Sequence, residues 1–284
     1  MKCPNGCGEM LAGELLWVCG WCGASLPRQE PPPAHPPEMV TVPEGVFVMG
    51  AVEGDAWALD HEKPRREIYL AGYAISIHPI TNGQYRLFVE ATRAKAPAHW
   101  AARPPLGQNT QHPVCFVSWY DAQAYCRWLS KTTGEIYDLP SEAQWEKAAR
   151  GGLWLDGDQQ ASVPNPMPER RFPNGHDELL PWHANFAGLQ AGTTPVGQFP
   201  EGASPYGCLD MSGNVSEWCL DTFDGAFYET MPTQNPLCRG KGRKALRGGS
   251  WRSGMDHVRC SNRYYYEADR PSYGIGFRVV RSWV

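Results

Sequence analysis

Apolar and polar residues alternate along the first part of the chain that carries a regular pattern. Two alternating runs lie between Met39 and Gly50 and are separated by Pro43-Glu44-Gly45, a combination typical of a tight turn. This arrangement predicts a β-hairpin. A further extended run from Ile68 to Ile77 predicts another strand.

The pattern then changes to the spacing of helices. Thr81 and Asn82 precede apolar residues at helical spacing, so we expect a capped helix there. Ser118 is expected to cap a longer helix that ends before Gly134, and Ser141 begins a third helix with a capping box. The apolar face of the second helix comprises Trp119, Ala122, Tyr125, Cys126 and Leu129.

The C-terminal segment has two apolar, glycine-rich ends, Leu246–Trp251 and Gly274–Val280, and a polar middle rich in Arg, Tyr, Asp and Ser. The middle has no sustained period, so we expect irregular backbone that displays side chains. Tyrosine offers large, rigid contact area at low entropy cost, which favours a binding surface. A solvated loop with rings packed on it is the alternative. The candidate ligand-binding residues are Trp251, Arg252, Ser253, Asp256, His257, Tyr264, Tyr265, Tyr266, Glu267, Asp269 and Tyr273.

Composition narrows the class of protein. The 284 residues include 30 Gly, 26 Pro, 12 Trp and 12 Tyr, which indicates a loop-rich globule, and Gly152 to Pro200 is expected to be mostly loop. The net charge of −4 argues against general nucleic-acid binding, and the basic run Arg239–Lys244 is interpreted as a solvated loop. Neither a membrane helix nor a signal peptide is apparent, so we expect a soluble, cytoplasmic protein.

Four of the ten cysteines lie close together near the N-terminus. Their Cys-x3-Cys and Cys-x2-Cys spacing can aim four thiolates at one ion, which predicts a structural zinc ribbon; two local disulfides are the alternative. The remaining six cysteines have no ligand spacing, and most are expected to be buried. The predicted organisation is a ribbon at 1–26, a stiff Pro-rich linker at 27–38 and a main domain at 39–284. The predicted zinc ligands are Cys3, Cys7, Cys19 and Cys22.

A second candidate metal motif lies at Asp210–Trp218. Two carboxylates and an Asn surround a glycine turn there, and calcium prefers carboxylate and carbonyl oxygens. Such Asn-Gly turns also occur simply as helix caps, so the spacing leaves both interpretations open.

Several motifs, in a fixed order, resemble the formylglycine-generating enzyme (sulfatase-modifying factor) family over residues 39 to 282. The resemblance implies a C-type-lectin-like α+β fold with a small antiparallel sheet, two main helices and long ordered loops. It also implies a calcium cage of Asp210, Glu217 and the carbonyls of Gly213 and Val215. The motifs are Met39–Gly50, Pro79–Asn82, Val117–Ala122, Leu139–Glu146, Asp210–Val215, Glu217-Trp218, Arg247–Trp251 and Gly276–Arg278.

The chain departs from this family where its oxidative chemistry resides. The resemblance implies two copper-holding cysteines after the Gly-Gly-Ser motif, but Ser253 stands at the first position and the second is absent. Two family disulfides also lack a partner, because Cys126 and Cys260 would face Val279 and Ala149. A second family calcium site at Asn185 and Phe186 lacks its acidic ligand.

The resulting hypothesis is a non-catalytic module that binds a protein or another macromolecule through its C-terminal segment. Family members without the cysteines include variable proteins of diversity-generating retroelements, in which Asn codons are rewritten to Tyr, Ser, Asp, His, Gly and Arg. Met255 and Glu267 do not fit that origin. A binding module of fixed specificity and a divergent oxidoreductase are the alternatives.

Overall fold

The computed structural model describes residues 35–101 and 109–282, together with residues 2, 5, 7, 11–12, 16–18, 22 and 25–27. The chain divides into two units, Met1–Pro33 and Ala34–Val284, and the division falls within the predicted linker. The first unit contains an antiparallel sheet in the order β1-β2-β3, formed by β1 (Leu11–Ala12), β2 (Leu16–Val18) and β3 (Ser25–Pro27).

The second unit combines short strands with short helices. In chain order its elements are β4 (Met39–Val42), β5 (Gly45–Met49), β6 (Arg66–Leu70), β7 (Tyr73–Ser76), α1 (Asn82–Thr92), α2 (Trp119–Thr133), β8 (Tyr137–Asp138), α3 (Glu142–Arg150), β9 (Ser216–Thr222), α4 (Phe227–Thr230), β10 (Lys244–Arg247), β11 (Tyr264–Tyr266), β12 (Ile275–Gly276) and β13 (Val280–Ser282).

These strands form three small sheets. One has the order β4-β7-β13-β8, a second pairs β5 with β6, and the third has the order β11-β10-β9-β12. Within the third sheet β12 runs parallel to β9, while β10 is antiparallel to both of its neighbours. The predicted α+β class is therefore confirmed, and so is the loop-rich stretch, because no helix or strand element lies between Arg150 and Pro200.

The predicted β-hairpin at Met39–Gly50 is wrong. β4 pairs with β7 and β5 pairs with β6, so the two runs belong to different sheets. The connection between the two runs is held by Lys147 on α3, whose Nζ donates to the carbonyls of Pro43 and Gly45 at 2.7 and 2.8 Å. Similarly, the single strand expected at Ile68–Ile77 is divided into β6 and β7, which lie in different sheets.

The three predicted helices are confirmed together with their caps. Thr81, Ser118 and Ser141 each accept a backbone hydrogen bond from the third residue of the helix that they begin. Gly134 ends α2 in a left-handed conformation, which a glycine adopts without strain. On α2 the predicted face is buried, except that Trp119 is only half-buried.

α3 contributes charged side chains to the core as well as apolar ones. Its Trp145 is fully buried, and its Glu142 and Glu146 are buried beside Arg247 of β10. Glu146 also pairs with Arg150 at 3.0 Å. Buried charges are tolerated only when they are paired and hydrogen-bonded, so these ion pairs fix how α3 lies against the third sheet.

Candidate functional site

Two buried anchors hold the C-terminal segment in place. Gly248 and Gly249 have φ of +83° and +65°, and a Cβ on Gly249 would lie 2.7 Å from the carbonyl oxygen of His257. At the other end, Phe277 and Arg278 are fully buried. The sequence-based prediction of two fixed ends therefore agrees with the structure, and the residues from 251 to 273 lie between them.

The middle of this segment is not the continuous display surface that we expected. Residues 258–263 are all buried. Arg259 donates to both oxygens of Glu62 at 2.7 Å, and Arg263 donates to both oxygens of Glu142 at 2.7 and 2.8 Å. These arginines are structural, because their buried guanidinium groups are paired with carboxylates from distant parts of the chain.

The three tyrosines that follow form a strand, contrary to the expectation of irregular backbone. Tyr264 to Tyr266 constitute β11, which pairs with β10 at the edge of the third sheet. Tyr264 is 57% exposed, whereas the ring of Tyr265 lies under the Arg243 guanidinium at 3.7 Å. The ring of Tyr264 stacks on that of Tyr265 at 5.4 Å, and Tyr264 and Tyr266 both line a cavity.

This cavity, which we call the face cavity, has a volume of about 340 Å³. Ser253 accepts a hydrogen bond from the backbone N–H of Ser250 at 2.9 Å, and the two hydroxyl oxygens are 3.4 Å apart. No cysteine among the described residues lines it. Its lining residues are Ser216, Leu246, Gly249, Ser250, Arg252, Ser253, His257, Asn262, Tyr264, Tyr266, Ser272, Gly274 and Ile275.

A second depression, the side cavity, has a volume of about 490 Å³ and shares Arg252 with the face cavity. His99 and His112 both line it. Burial lowers the pKa of both histidines. Tyr273 also lines it, and its ring lies 4.7 Å from Phe116 and 6.0 Å from His99.

The remaining predicted binding residues are exposed or half-buried. Arg252 is exposed, and its guanidinium stacks over Trp251 at 4.4 Å. His257 is also exposed and lies 3.3 Å from Asp256. Glu267 and Asp269 are exposed as well. None of the eleven predicted binding residues is buried, although the segment between His257 and Tyr264 is.

The two predicted calcium-binding carboxylates have protein partners. Glu217 accepts two hydrogen bonds from Arg278 at 2.6 and 2.8 Å and one from Trp145 at 2.7 Å. Asp210 accepts from the backbone N–H of Gly197 at 2.8 Å, and burial raises the pKa of Asp210 to about 6. Glu217 is thus paired with a cation of the protein itself, Arg278, which the spacing of the motif did not reveal.

The same motif also forms hydrogen bonds to the neighbouring loops, through Asn214. Asn214 accepts a hydrogen bond from the Thr194 N–H at 3.0 Å, and its own N–H donates to the Asn185 carbonyl at 2.8 Å. The Asn214 carbonyl accepts from Trp251 at 3.0 Å. Among the residues that the structure describes, no group of three or more His, Cys, Asp or Glu is placed to hold a metal ion.

The predicted zinc ligands are only partly within the described residues. Cys3 and Cys19 lie outside them, whereas Cys7 and Cys22 are described and exposed. Asn5 lies near both, because its Nδ2 is 3.5 Å from Cys22 Sγ and its carbonyl oxygen is 3.7 Å from Cys7 Sγ. Zinc at this position stays a prediction.

The other cysteines mostly follow the expectation of burial. Cys115, Cys126, Cys208, Cys219 and Cys260 are buried, while Cys238 is half-buried. Cys126 belongs to the same apolar cluster as Val279, and Cys260 belongs to the same cluster as Ala149.

Sequence reasoning missed Asn262 as a site residue, because it lies among buried arginines and carries no recognisable motif. It also missed the way that Asn82, His112 and Thr193 converge on the side cavity from distant parts of the chain. Only the fold brings these residues together.

Fold and site together define a C-type-lectin-like α+β domain with a ligand-sized, loop-bordered surface. The chain belongs to the family described as "Sulfatase-modifying factor enzyme 1-like domain", which matches residues 24–283. The resemblance noted in the sequence is thereby confirmed. The chain is 32% identical to the formylglycine-generating enzyme of Streptomyces coelicolor over 88% of this chain and 92% of that protein.

Two other relatives have names that do not describe an active formylglycine-generating enzyme. The inactive C-alpha-formylglycine-generating enzyme 2 of Mus musculus is 31% identical over 94% of this chain and 92% of its own length. The serine/threonine-protein kinase pkn1 of Chlamydia caviae is 31% identical over 86% of this chain. The chain spans only 38% of that kinase's length.

Solved structures share the fold. PvdO from Pseudomonas aeruginosa superposes with a TM-score of 0.71 at 29% identity, covering 88% of this chain and 99% of that one. Treponema denticola variable protein 1 gives a TM-score of 0.66 at 20% identity, covering 86% of this chain and 94% of that one. No helix in the described part of the chain has both the length and the apolar character needed to cross a membrane.

Proposed function

We propose that this chain is a binding protein whose ligand site is the surface formed by the exposed residues between Trp251 and Tyr273. The observation that supports this most directly is the face cavity, because a concave site bordered by tyrosines and an arginine has the side chains that dominate binding hot spots. A protein or another macromolecule is the proposed partner.

The site supports binding better than it supports oxidation of a thiol. Ser253 has a hydroxyl where the family resemblance implies a copper-binding cysteine, and that hydroxyl bonds to the backbone of Ser250. Copper(I) prefers soft thiolate ligands, which a serine cannot supply. A divergent oxidoreductase would therefore need a different set of copper ligands, and it is the second candidate function.

A photo-crosslinking amino acid at position 264 should capture a specific partner in an extract of the native host, because Tyr264 is 57% exposed at the border of the cavity. The same amino acid at Ile136, which is 57% exposed and lies next to β8, serves as the control. Mass spectrometry should identify an adduct at 264 that is missing at 136. Identical adducts at both positions, or none at 264, would refute the proposed site.

Incubation with copper and a Cys-x-Pro-x-Arg peptide should leave the peptide thiol unchanged, as measured by peptide mass spectrometry. The formylglycine-generating enzyme of Streptomyces coelicolor is the positive control. Ser253→Cys alone should also be inactive, because the second cysteine has no counterpart between Trp251 and Arg259. Aldehyde formation by the unaltered chain would overturn the assignment as a binding protein.

We further propose that the surface is diversified by a retroelement. Nine residues that rewriting of Asn codons could supply are all at least partly exposed, whereas Arg259, Cys260 and Arg263 between them are buried. A neighbouring reverse transcriptase gene with a near-copy of the codons for 251–273 would separate this from a fixed specificity. The nine are Arg252, Ser253, Gly254, Asp256, His257, Tyr264, Tyr265, Tyr266 and Tyr273.

At the N-terminus we propose one structural zinc ion held by Cys3, Cys7, Cys19 and Cys22. Elemental analysis of purified protein should give about one zinc per chain, and Cys19→Ser should remove it, since four ligands complete the tetrahedral site. Cys238→Ser, which changes a half-buried cysteine outside the set, should leave the metal content unchanged. Full zinc content in Cys19→Ser would contradict the proposed ligands.

A further inference from the structure

Asn262 lines the face cavity and has an unused hydrogen-bond donor. The residue is 4% exposed, and its buried Nδ2 has no hydrogen-bond partner among the described residues. Buried polar groups in folded proteins are almost always hydrogen-bonded, so an orphaned amide at a cavity wall indicates an acceptor that comes from outside the chain.

The backbone around Asn262 is held firmly. Arg259 before it and Arg263 after it are both buried in ion pairs with carboxylates, and the Asn262 N–H donates to the Arg259 carbonyl at 3.2 Å. The amide is therefore positioned by its neighbours before any ligand arrives, which reduces the entropy lost on binding.

The one permanently charged residue in the described lining of the face cavity is an arginine. Arg252 and His257 line the cavity, and none of its described lining residues is acidic. Arg252 forms no ion pair with any described residue, it lines both cavities, and its guanidinium stacks over Trp251, which borders the side cavity. Guanidinium groups bind planar carboxylates with two parallel hydrogen bonds, so the cavity favours an anion of that shape.

Part of the lining is apolar. Leu246 and Ile275 are buried side chains that border the cavity, together with the rings of Tyr264 and Tyr266. A ligand that fills about 340 Å³ would thus place an apolar or aromatic body against these side chains.

We propose that the face cavity binds a carboxylate attached to an aromatic or apolar body, with Asn262 Nδ2 and the Arg252 guanidinium as its donors. The inference rests on the proposed binding function and specifies its ligand chemistry. A carboxylate suits the site better than a phosphate dianion, because Arg252 is the one permanently charged group in the described lining.

Calorimetric titration of the full chain with N-acetyl-phenylalanine tests this, and N-acetyl-phenylalaninamide is the matched neutral probe. We expect the acid to bind and the amide to bind at least about tenfold more weakly, since charge-assisted hydrogen bonds are the stronger ones. Blocked acetyl-Phe-Asp-amide separates the two sources: binding of this peptide indicates an acidic side chain of a protein, and binding of the free acid alone indicates a small-molecule acid.

Two variants test the assigned donors. Asn262→Asp replaces the donor with a carboxylate of similar size and should abolish acid binding, while Arg252→Gln, at an exposed position that leaves folding intact, should weaken it. Ile136→Ala is the control. Equal binding of acid and amide, binding of inorganic phosphate alone, or no binding of either acid overturns the inference. If crosslinking at 264 still succeeds in that case, the proposed function stands and only the ligand chemistry fails.

Discussion

Replacing Glu217 with alanine should lower the free energy of unfolding by about 3–5 kcal/mol, because it leaves a buried guanidinium without its carboxylate. Both side chains are fully buried, and the two are joined by hydrogen bonds of 2.6 and 2.8 Å. Arg278 would keep only the carbonyls of Ser76, Ile77 and Leu209 as partners. Urea denaturation measures the loss.

The matched control is Glu135→Ala. Glu135 lies 3.9 Å from Arg281 on the surface, where the exposed pair is expected to contribute about 0–1 kcal/mol. If Glu217→Ala costs no more than Glu135→Ala, the buried pair does not have the importance inferred from its geometry.

We also propose that calcium binds at the site that the family resemblance implies, with Asp210 and Glu217 as ligands. If calcium binds at Asp210 and Glu217, millimolar calcium should raise the melting temperature relative to chelator, and an Asp210→Ala, Glu217→Ala double variant should lose that shift. If the role of Glu217 is to pair with Arg278, its loss destabilises equally with and without calcium. An unaltered chain that shows no calcium-dependent shift would end the calcium proposal.

The pH dependence of calcium binding follows from Asp210. Burial raises its pKa from 3.8 to about 6, so the folded chain holds a proton that the unfolded chain releases between these values. The contribution of this carboxyl to stability therefore falls as pH rises from about 4 to 6. Since calcium requires the carboxylate, its affinity should increase through the same range.

Replacing Glu62 with alanine should have an effect of similar size, about 3–5 kcal/mol, and should act on the binding surface as well. Glu62 is fully buried and accepts hydrogen bonds from Arg259 and Ser261, so it holds the segment that positions Asn262. We expect both the unfolding midpoint in urea and binding at the face cavity to fall. Glu53→Ala, at a nearby exposed position, is the control.

A double-variant cycle isolates the pair. Removing Arg259 together with Glu62 should cost less than the sum of the two single changes, because no buried charge is then left alone. Strict additivity would show that the two side chains do not stabilise each other. Burial opposes the charge on Glu62, but hydrogen bonds from Arg259 and Ser261 outweigh it and lower the pKa of Glu62. The contribution of the pair should therefore be lost as pH falls below the ordinary glutamate range.

The parts of this fold that the sequence predicts are those determined by neighbouring residues. The helix caps at Thr81, Ser118 and Ser141 depend on contacts within one turn, and all three are correct. The predicted hairpin is wrong because the two runs pair with different strands, β7 and β6, and their connection is held by Lys147, about a hundred residues away. Local pattern carries no information about such a distant donor.

The candidate site also has a part that the sequence predicts and a part that only the fold reveals. Its outer residues were predicted from composition, since exposed Tyr, Arg and His are typical of binding surfaces. Arg259 and Arg263 have that same composition but are buried, because Glu62 and Glu142 reach them from elsewhere in the chain. Likewise the spacing of Asp210 and Glu217 suggested a metal, and only the fold shows that Arg278 already pairs with Glu217.

The position of β13 within its sheet has a consequence for synthesis of the chain. β13 lies between β7 and β8, and it pairs Val280 with Ile75, a partner made some two hundred residues earlier. During translation this sheet stays open until the final strand emerges, which makes its formation a late, long-range step. A chain whose reading frame is lost between Trp251 and Tyr273 never makes β13 and leaves two unpaired strand edges, which favour aggregation and degradation. Completion of this sheet therefore depends on in-frame translation through the whole binding segment.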